Sequence, residues 1–329
     1  MKTIAVIGAG SWGTALAIVA ARAGHQVNLW SRNDEVVKSI LQRGMNPRYL
    51  SFASVPRVVN ATTSLEAALA NAEIVVIAAP AQAVRQLTLE IKPYLLDRAI
   101  IVNAAKGLEI ETGRRISQVV NDTLGPRRYV CLSGPSFARE VVQNYPTTIV
   151  GSSDDSEAAT LVQQNLSFEN LRIYTNNDVI GTELGGAVKN VMAIAAGMIS
   201  GLGFGTNSVA ALITRGLAEI SRLAIHEGAQ RETMMGLAGV GDLVLTCTGI
   251  LSRNRHVGER LGQGVSPARI EAEMKEVAEG VKTTLAVKLL ADKANLEMPI
   301  TNEVKAVLYD RKTAREAAAE LMRRPLKDE

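Results

Sequence analysis

The chain has 329 residues, 47% of them hydrophobic and 21% charged, with a formal net charge of +3. That length suits about two domains, and so small a charge excludes a protein that grips nucleic acid through a broad basic surface. Two cysteines, Cys131 and Cys247, are too few for a disulfide framework and point to a reducing compartment, the cytoplasm.

The chain opens on a short β-branched run, Thr3–Ile7, which breaks off at Gly8 and Gly10, so no secretory leader is expected. The run leads straight into Gly8-Ala9-Gly10-Ser11-Trp12-Gly13. A helix is predicted over 14–24 and a second strand over Gln26–Trp30. A lone G-x-G-x-x-G is a weak sign, but at the first strand-to-helix turn of a βαβ unit it marks a dinucleotide site. There Gly8, Gly10 and Gly13 allow a tight turn, close approach of a pyrophosphate, and close helix-to-strand packing. The bland alternative is a structural glycine turn. NAD-selective sites carry an acid near the end of the second strand, to accept from the ribose 2′-hydroxyl. Here Asn28 to Arg32 offers none, and the first acid is Asp34. Arg32 suits a 2′-phosphate, so NADPH/NADP is preferred, with NADH/NAD also accepted; the alternative for Arg32 is a solvated loop.

Further strands are predicted over 73–79, 99–103 and 129–132, which implies a parallel sheet with ligands at the carboxyl ends of its strands. Lys106 and the turn Ser133-Gly134-Pro135-Ser136 follow two of these ends. A lysine there can hold a phosphate as a point charge, and the turn can offer N–H groups and a hydroxyl where a helix over 136–143 begins. Ordinary loop chemistry explains either feature taken alone.

From Gly181 the pattern becomes helical. Val188, Val191, Met192, Ala195, Ala196 and Ile199 fall on one buried helix face, and Lys189 is the only charge between Glu183 and Arg215. Burying an unpaired ammonium is costly, and burial depresses a lysine pKa toward the range useful for proton transfer. Snorkelling to water is the plain alternative. Because it contains Lys189 and several glycines, 181–205 is not read as a membrane span. Residues 209–227 read as a helix with Arg215, Glu219 and Arg222 forming a charged face. Asp242 follows a glycine-rich turn and precedes an apolar run; Lys189 is one candidate partner, and a helix cap is the other role open to it. Ser252-Arg253-Asn254 opening a helix suits an anion, or is a solvated basic loop with a capping serine. Cys247 has no histidine nearby to activate it, and His25, His226 and His256 show no metal spacing, so no metal is expected. A charged helix is predicted over 271–279, and a basic amphipathic helix over 314–328 ends the chain. The fold class is therefore an α/β N-terminal domain with a doubly wound Rossmann-type sheet, residues 1–180, and an all-α C-terminal domain, residues 181–329.

The stretches GAGSWGTALA (8–17), AKGLE (105–109), SGPSFARE (133–140), GGAVKNVMAIAAGM (185–198), NSVAALITRGLAE (207–219), GLAGVGDLVLTCTG (236–249) and SRNR (252–255) run in order along nearly the whole chain. In them the chain resembles bacterial NAD(P)-dependent glycerol-3-phosphate dehydrogenases. The resemblance implies reduction of dihydroxyacetone phosphate to sn-glycerol 3-phosphate for phospholipid synthesis, with Lys189 as the general acid. It implies substrate contacts from Lys106, Gly134, Ser136, Lys189, Asn190, Asp242, Ser252, Arg253 and Asn254. It implies a cofactor site lined by Ser11, Trp12, Arg32, Asn33, Tyr49, Lys106, Ala138, Arg253, Val277 and Glu279 beside the three glycines. A homodimer is implied by resemblance alone. Two other readings stand beside this one: a related reductase of 6-phosphogluconate or 3-hydroxyisobutyrate, and a non-catalytic NAD(P)-binding sensor.

Overall fold

The computed structural model describes residues 1–274 and 278–325. They form two compact units: one of Met1–Lys106 and Arg115–Glu183, the other of Gly107–Arg114 and Leu184 onward.

In the first unit eight strands make one sheet. They are β1 (Thr3–Ile7), β2 (Gln26–Trp30), β3 (Val59–Thr62), β4 (Ile74–Ile77), β5 (Ile100–Asn103), β6 (Tyr129–Ser133), β7 (Thr147–Ser152) and β8 (Leu171–Asn176). Their order across the sheet is β8-β7-β6-β5-β4-β1-β2-β3. The first six, reading 3-2-1-4-5-6, are parallel and follow the doubly wound dinucleotide-binding order. The expectation of a parallel sheet stops there: β7 runs antiparallel to β6, and β8 runs parallel to β7.

The central strands are nearly continuous runs of Val and Ile because both their faces are covered. Alternate side chains of β1 point to opposite faces. Ile4 and Val6 join a core with Leu16, Val36 and Val162, while Ala5 and Ile7 join another with Leu87, Ile91 and Val119. The helices contributing are α1 (Ser11–Arg22), α2 (Asp34–Arg43), α3 (Leu65–Leu69), α4 (Val84–Ile91), α5 (Ile116–Leu124), α6 (Ala138–Val142) and α7 (Ser156–Leu166). A small hairpin, Met45–Asn46 with Leu50–Ser54, lies outside the large sheet. The chain passes from one unit to the other inside α8 (Val179–Gly201). At the head of α8, Glu183 is the buried cap of α5: it accepts from Ser117 N (2.7 Å), Ser117 Oγ (2.6 Å) and Arg115 (2.9 Å), and from the Tyr129 hydroxyl (2.7 Å).

The second unit contains no strand among its described residues. After α8 come α9 (Thr206–His226), α10 (Arg231–Met234), a π-helical turn over Leu237–Gly241, α11 (Asp242–Thr248) and α12 (Arg253–Gly262). These are followed by α13 (Pro267–Glu273), α14 (Glu279–Lys293), α15 (Pro299–Tyr309) and α16 (Ala314–Met322). The helix predicted over 271–279 is not one element. Met274 ends α13 in an extended conformation, and Glu279 opens α14 behind its N-cap Ala278. Likewise α16 stops at Met322, well short of 328, and residues 326–329 lie outside the described residues. α8 has the length and hydropathy of a membrane span, but 83% of its most apolar window is buried inside the fold.

Glu219 departs from the expected charged face: it is 4% exposed, on the buried side of α9. Its carboxyl group accepts from Ile300 N (2.6 Å), Thr301 N (3.3 Å) and Thr301 Oγ1 (3.3 Å), capping α15 where Pro299 starts it. Burial pushes the Glu219 pKa up to about 7, against the N–H groups, which pull it down. A carboxyl whose folded pKa lies above its unfolded value contributes stability in full below pH 4.5, and that contribution is lost as pH rises through 7. Urea unfolding between pH 4.5 and 8 is expected to show a decline of about 3 kcal/mol from this group, and Glu219→Gln flattens it. An equally steep profile in Glu219→Gln would assign the decline elsewhere.

Candidate active site

In the first unit, the glycine turn runs from β1 into α1 as expected, with Gly10 as the N-cap of a helix that already begins at Ser11. Gly13 is required by packing, since a Cβ there would lie 1.8 Å from the Gly8 carbonyl oxygen. Gly10 differs: a Cβ built on it meets nothing within 4 Å, so the space beside the helix start is open. Gly10, as the N-cap, brings no side chain to the start of α1. Open space beside Gly10 at a helix start fits a dinucleotide pyrophosphate.

Arg32 is exposed after the end of β2, and no acid sits on that strand. Asn33 is the N-cap of α2, its Oδ1 accepting from Val36 N (3.2 Å) while its own N–H donates to Ser31 Oγ (3.1 Å). Tyr49 lies in the turn of the small hairpin, where its carbonyl accepts from Ser11 Oγ (3.2 Å). The structure thus ties Tyr49 to the glycine turn.

Three predicted substrate residues also meet in this unit. Lys106 Nζ donates to the Gly134 carbonyl (2.8 Å), and Ser136 Oγ donates to the same oxygen (3.1 Å). Asn103, at the end of β5, shapes the approach by bonding both N–H and C=O of Ala105. The helix expected from Ser136 is only the short α6, with Ala138 as its first residue.

In the second unit, Lys189 is 6% exposed and does not snorkel. Its Nζ donates to Asp242 Oδ1 (2.5 Å) and Thr246 Oγ1 (2.8 Å). Asp242 is 1% exposed and is the first residue of α11, behind the N-cap Gly241. Thr246 stands one turn on and donates its own hydroxyl proton to the Asp242 main-chain carbonyl (2.6 Å). That leaves a hydroxyl lone pair for the ammonium, so the acceptors of Lys189 include the Asp242 carboxylate and an oriented neutral hydroxyl. The glycine-rich turn is pressed against α8 one turn before the lysine: a Cβ on Gly185 would lie 2.5 Å from the Ala238 carbonyl oxygen. Close approach there is what delivers Asp242 to Lys189. Thr246 is not among the residues that the sequence singles out, although its place four residues after Asp242 on a helix puts the two on one face.

Asn190, 5% exposed, accepts at Oδ1 from Asn254 Nδ2 (2.9 Å), and Asn254 Oδ1 accepts from Gly280 N (2.9 Å). The amides of α8 and α12 and the first turn of α14 therefore form one buried chain. Ser252 caps α12 by accepting from Arg255 N (3.2 Å), with exposed Arg253 next to it. Glu279, one residue before Gly280, is half-buried, and Val277 lies outside the described residues. Cys247 is buried and burial pushes its thiol up to about 12 despite the Lys189 charge, so it carries no thiolate at neutral pH.

Two family profiles match: NAD-dependent glycerol-3-phosphate dehydrogenase N-terminus over residues 3–159, and the C-terminus of the same dehydrogenase over residues 178–319. The chain belongs to this family. A Koribacter versatilis protein named glycerol-3-phosphate dehydrogenase [NAD(P)+] is 52% identical over 99% of this chain and 98% of its own length. A Geobacter sulfurreducens protein of the same name is 48% identical over 100% and 99%. The crystal structure of glycerol-3-phosphate dehydrogenase from Coxiella burnetii superposes with a TM-score of 0.95 at 40% identity, covering 98% of this chain and 99% of that one. The Coxiella burnetii enzyme thus has the folds of both units, the helical one included.

Proposed function

We propose that this chain reduces dihydroxyacetone phosphate to sn-glycerol 3-phosphate, reversibly, with NADPH preferred and NADH accepted, supplying glycerophospholipid synthesis. The observation that carries the reading is the buried Lys189 ammonium held by Asp242 and Thr246 in a member of this family. Reducing a ketone needs a hydride on carbon and a proton on oxygen. When bound, the nicotinamide supplies the hydride. Lys189 Nζ hands its proton to the ketone oxygen as negative charge develops there, and the amine regains a proton from solvent. Asp242 remains a carboxylate throughout and fixes the lysine in place, on a helix rigid enough for the precision required.

The phosphate is the non-reacting handle whose binding energy positions the carbonyl. Ser252, Arg253 and Asn254 at the start of α12 are assigned to it, with Lys106, Gly134, Ser136 and Asn190 as further substrate contacts. The cofactor residues are Gly8, Gly10, Ser11, Trp12, Gly13, Arg32, Asn33, Tyr49, Lys106, Ala138, Arg253, Val277 and Glu279. Arg32 at the end of an acid-free β2 supports the preference for a 2′-phosphate. Both cysteines are free and buried, which supports a cytoplasmic location, and a homodimer is the assembly proposed.

The test is turnover by the purified chain with NADPH and dihydroxyacetone phosphate, beside 6-phosphogluconate and 3-hydroxyisobutyrate with NADP+. Brisk reduction of the phosphorylated ketone and little oxidation of either hydroxy acid is expected. The reverse ranking reassigns the substrate, and NADPH binding without turnover makes the chain a sensor.

A further inference from the structure

Asn46 is fully buried, in the hairpin segment beside the glycine turn. Its Nδ2 donates to the Ala9 carbonyl (2.9 Å) and to Thr14 Oγ1 (2.9 Å), while its Oδ1 has no hydrogen-bond partner. Ala9 lies between the first two glycines, and Thr14 lies in the first turn of α1, with its N–H on the Gly10 carbonyl (2.9 Å). One amide group therefore spans the turn from entry to exit. The orientation is fixed by chemistry, because the Ala9 carbonyl demands a donor and an amide turned round would face it with an oxygen. The same segment is tied on at a second point, Ser11 Oγ to the Tyr49 carbonyl, and Tyr49 N is bonded to the Asn46 carbonyl (3.3 Å).

A buried amide oxygen without a partner is destabilising, and an apolar residue of similar size would fill the space without that cost. What only the amide provides is the pair of bonds that hold Ala9 and Thr14 at fixed separation. The N–H groups that a pyrophosphate would meet belong to the residues between them. Trp12, in the same stretch, has a buried indole N–H that is likewise without a partner.

We propose that Asn46 is a positioning residue for the dinucleotide: it locks the glycine turn in the conformation that receives the pyrophosphate, acting through Ala9 and Thr14 and not by touching substrate. This rests on the NAD(P)H-binding reading above. The test is titration of NADPH fluorescence with Asn46→Leu, Thr14→Val and Thr14→Ser, together with steady-state kinetics at saturating NADPH. Asn46→Leu and Thr14→Val are expected to weaken NADPH binding about 10–100-fold, the scale of a misplaced binding group. In both, kcat at saturation and KM for dihydroxyacetone phosphate stay near wild type, and Thr14→Ser, which keeps the hydroxyl, restores NADPH affinity. The double variant is expected to be little worse than either single one, because both remove the same link. Wild-type NADPH affinity in folded Asn46→Leu or in Thr14→Val overturns the proposal; should Asn46→Leu fail to fold, Thr14→Val decides. A wild-type chain that binds no NADPH at all contradicts the cofactor reading itself, a separate outcome.

Discussion

Asp242→Ala is expected to lower the folding free energy by about 3–5 kcal/mol, because it leaves the Lys189 ammonium buried without its counter-charge. Both groups are more than nine-tenths buried, and the Thr246 hydroxyl, which also accepts from Lys189, carries no charge. Removing both charges is different. Lys189→Met with Asp242→Leu replaces the pair by apolar groups of similar volume, a change that is often neutral or stabilising. Urea unfolding is therefore expected to place the double variant within about 1 kcal/mol of wild type, while its reductase activity is lost. That separates what the pair does for folding from what it does for catalysis. A double variant as unstable as Asp242→Ala would mean that neighbours of the pair, and not the stranded charge, set the cost.

Gly258→Ala is expected to be among the most damaging single methyl additions in the chain. A Cβ at Gly258 would lie 1.9 Å from the Ile194 carbonyl oxygen, and one at Gly197 would lie 2.0 Å from the Arg255 carbonyl oxygen. Gly201 and Gly262 repeat the arrangement one turn along, so α8 and α12 cross with their backbones in contact. No side-chain rotation relieves such a clash, and the helices must part. The expected loss is at or above the upper end of the about 1–3 kcal/mol typical of overpacking, read as a drop in urea midpoint. Separation of these helices would also loosen the Asn190–Asn254–Gly280 chain, so affinity for the substrate phosphate should fall in whatever fraction folds. Gly205→Ala is the control: a Cβ there meets nothing within 4 Å, at a φ of −76°, and the change should cost less than about 1 kcal/mol. Similar losses in the two variants would show that the crossing tolerates a methyl group.

The parts legible in the sequence were those where backbone geometry or continuous burial leaves few choices of residue. The glycine turn is one, since Gly8 and Gly13 are in contact. The central strands and α8 are others, because both faces or all sides are buried and the residues read as apolar runs. Strands β3, β7 and β8 are not among the predicted ones; β3 and β8 are sheet edges, and β8 alternates buried Leu171 and Ile173 with outward Arg172 and Tyr174, a short pattern that is easily lost. The reversal at β7 has no local signature; it depends on the short α6 returning the chain instead of crossing the sheet. Nor does any local feature show that Gly107–Arg114 packs with the helical unit. The burial of Glu219 is not legible because charge spacing on a helix says nothing about which face is buried, and its partners, two backbone N–H groups and a threonine hydroxyl, lie 81 and 82 residues away. At the site, Lys189 and Asp242 were legible as charges stranded in apolar sequence. The links among Asn190, Asn254 and Gly280 were not, because amides look alike in sequence whether they bind ligand or one another.

The rate of NADPH oxidation on mixing with dihydroxyacetone phosphate, compared between wild type and Lys189→Met, tests the assignment of the acid most directly. Rapid oxidation by wild type and a kcat lower by about 10²–10⁴-fold in the variant is the expected result, with NADPH affinity unchanged. Equal rates in the two proteins would contradict it, and would leave Lys189 as no more than the buried partner of Asp242.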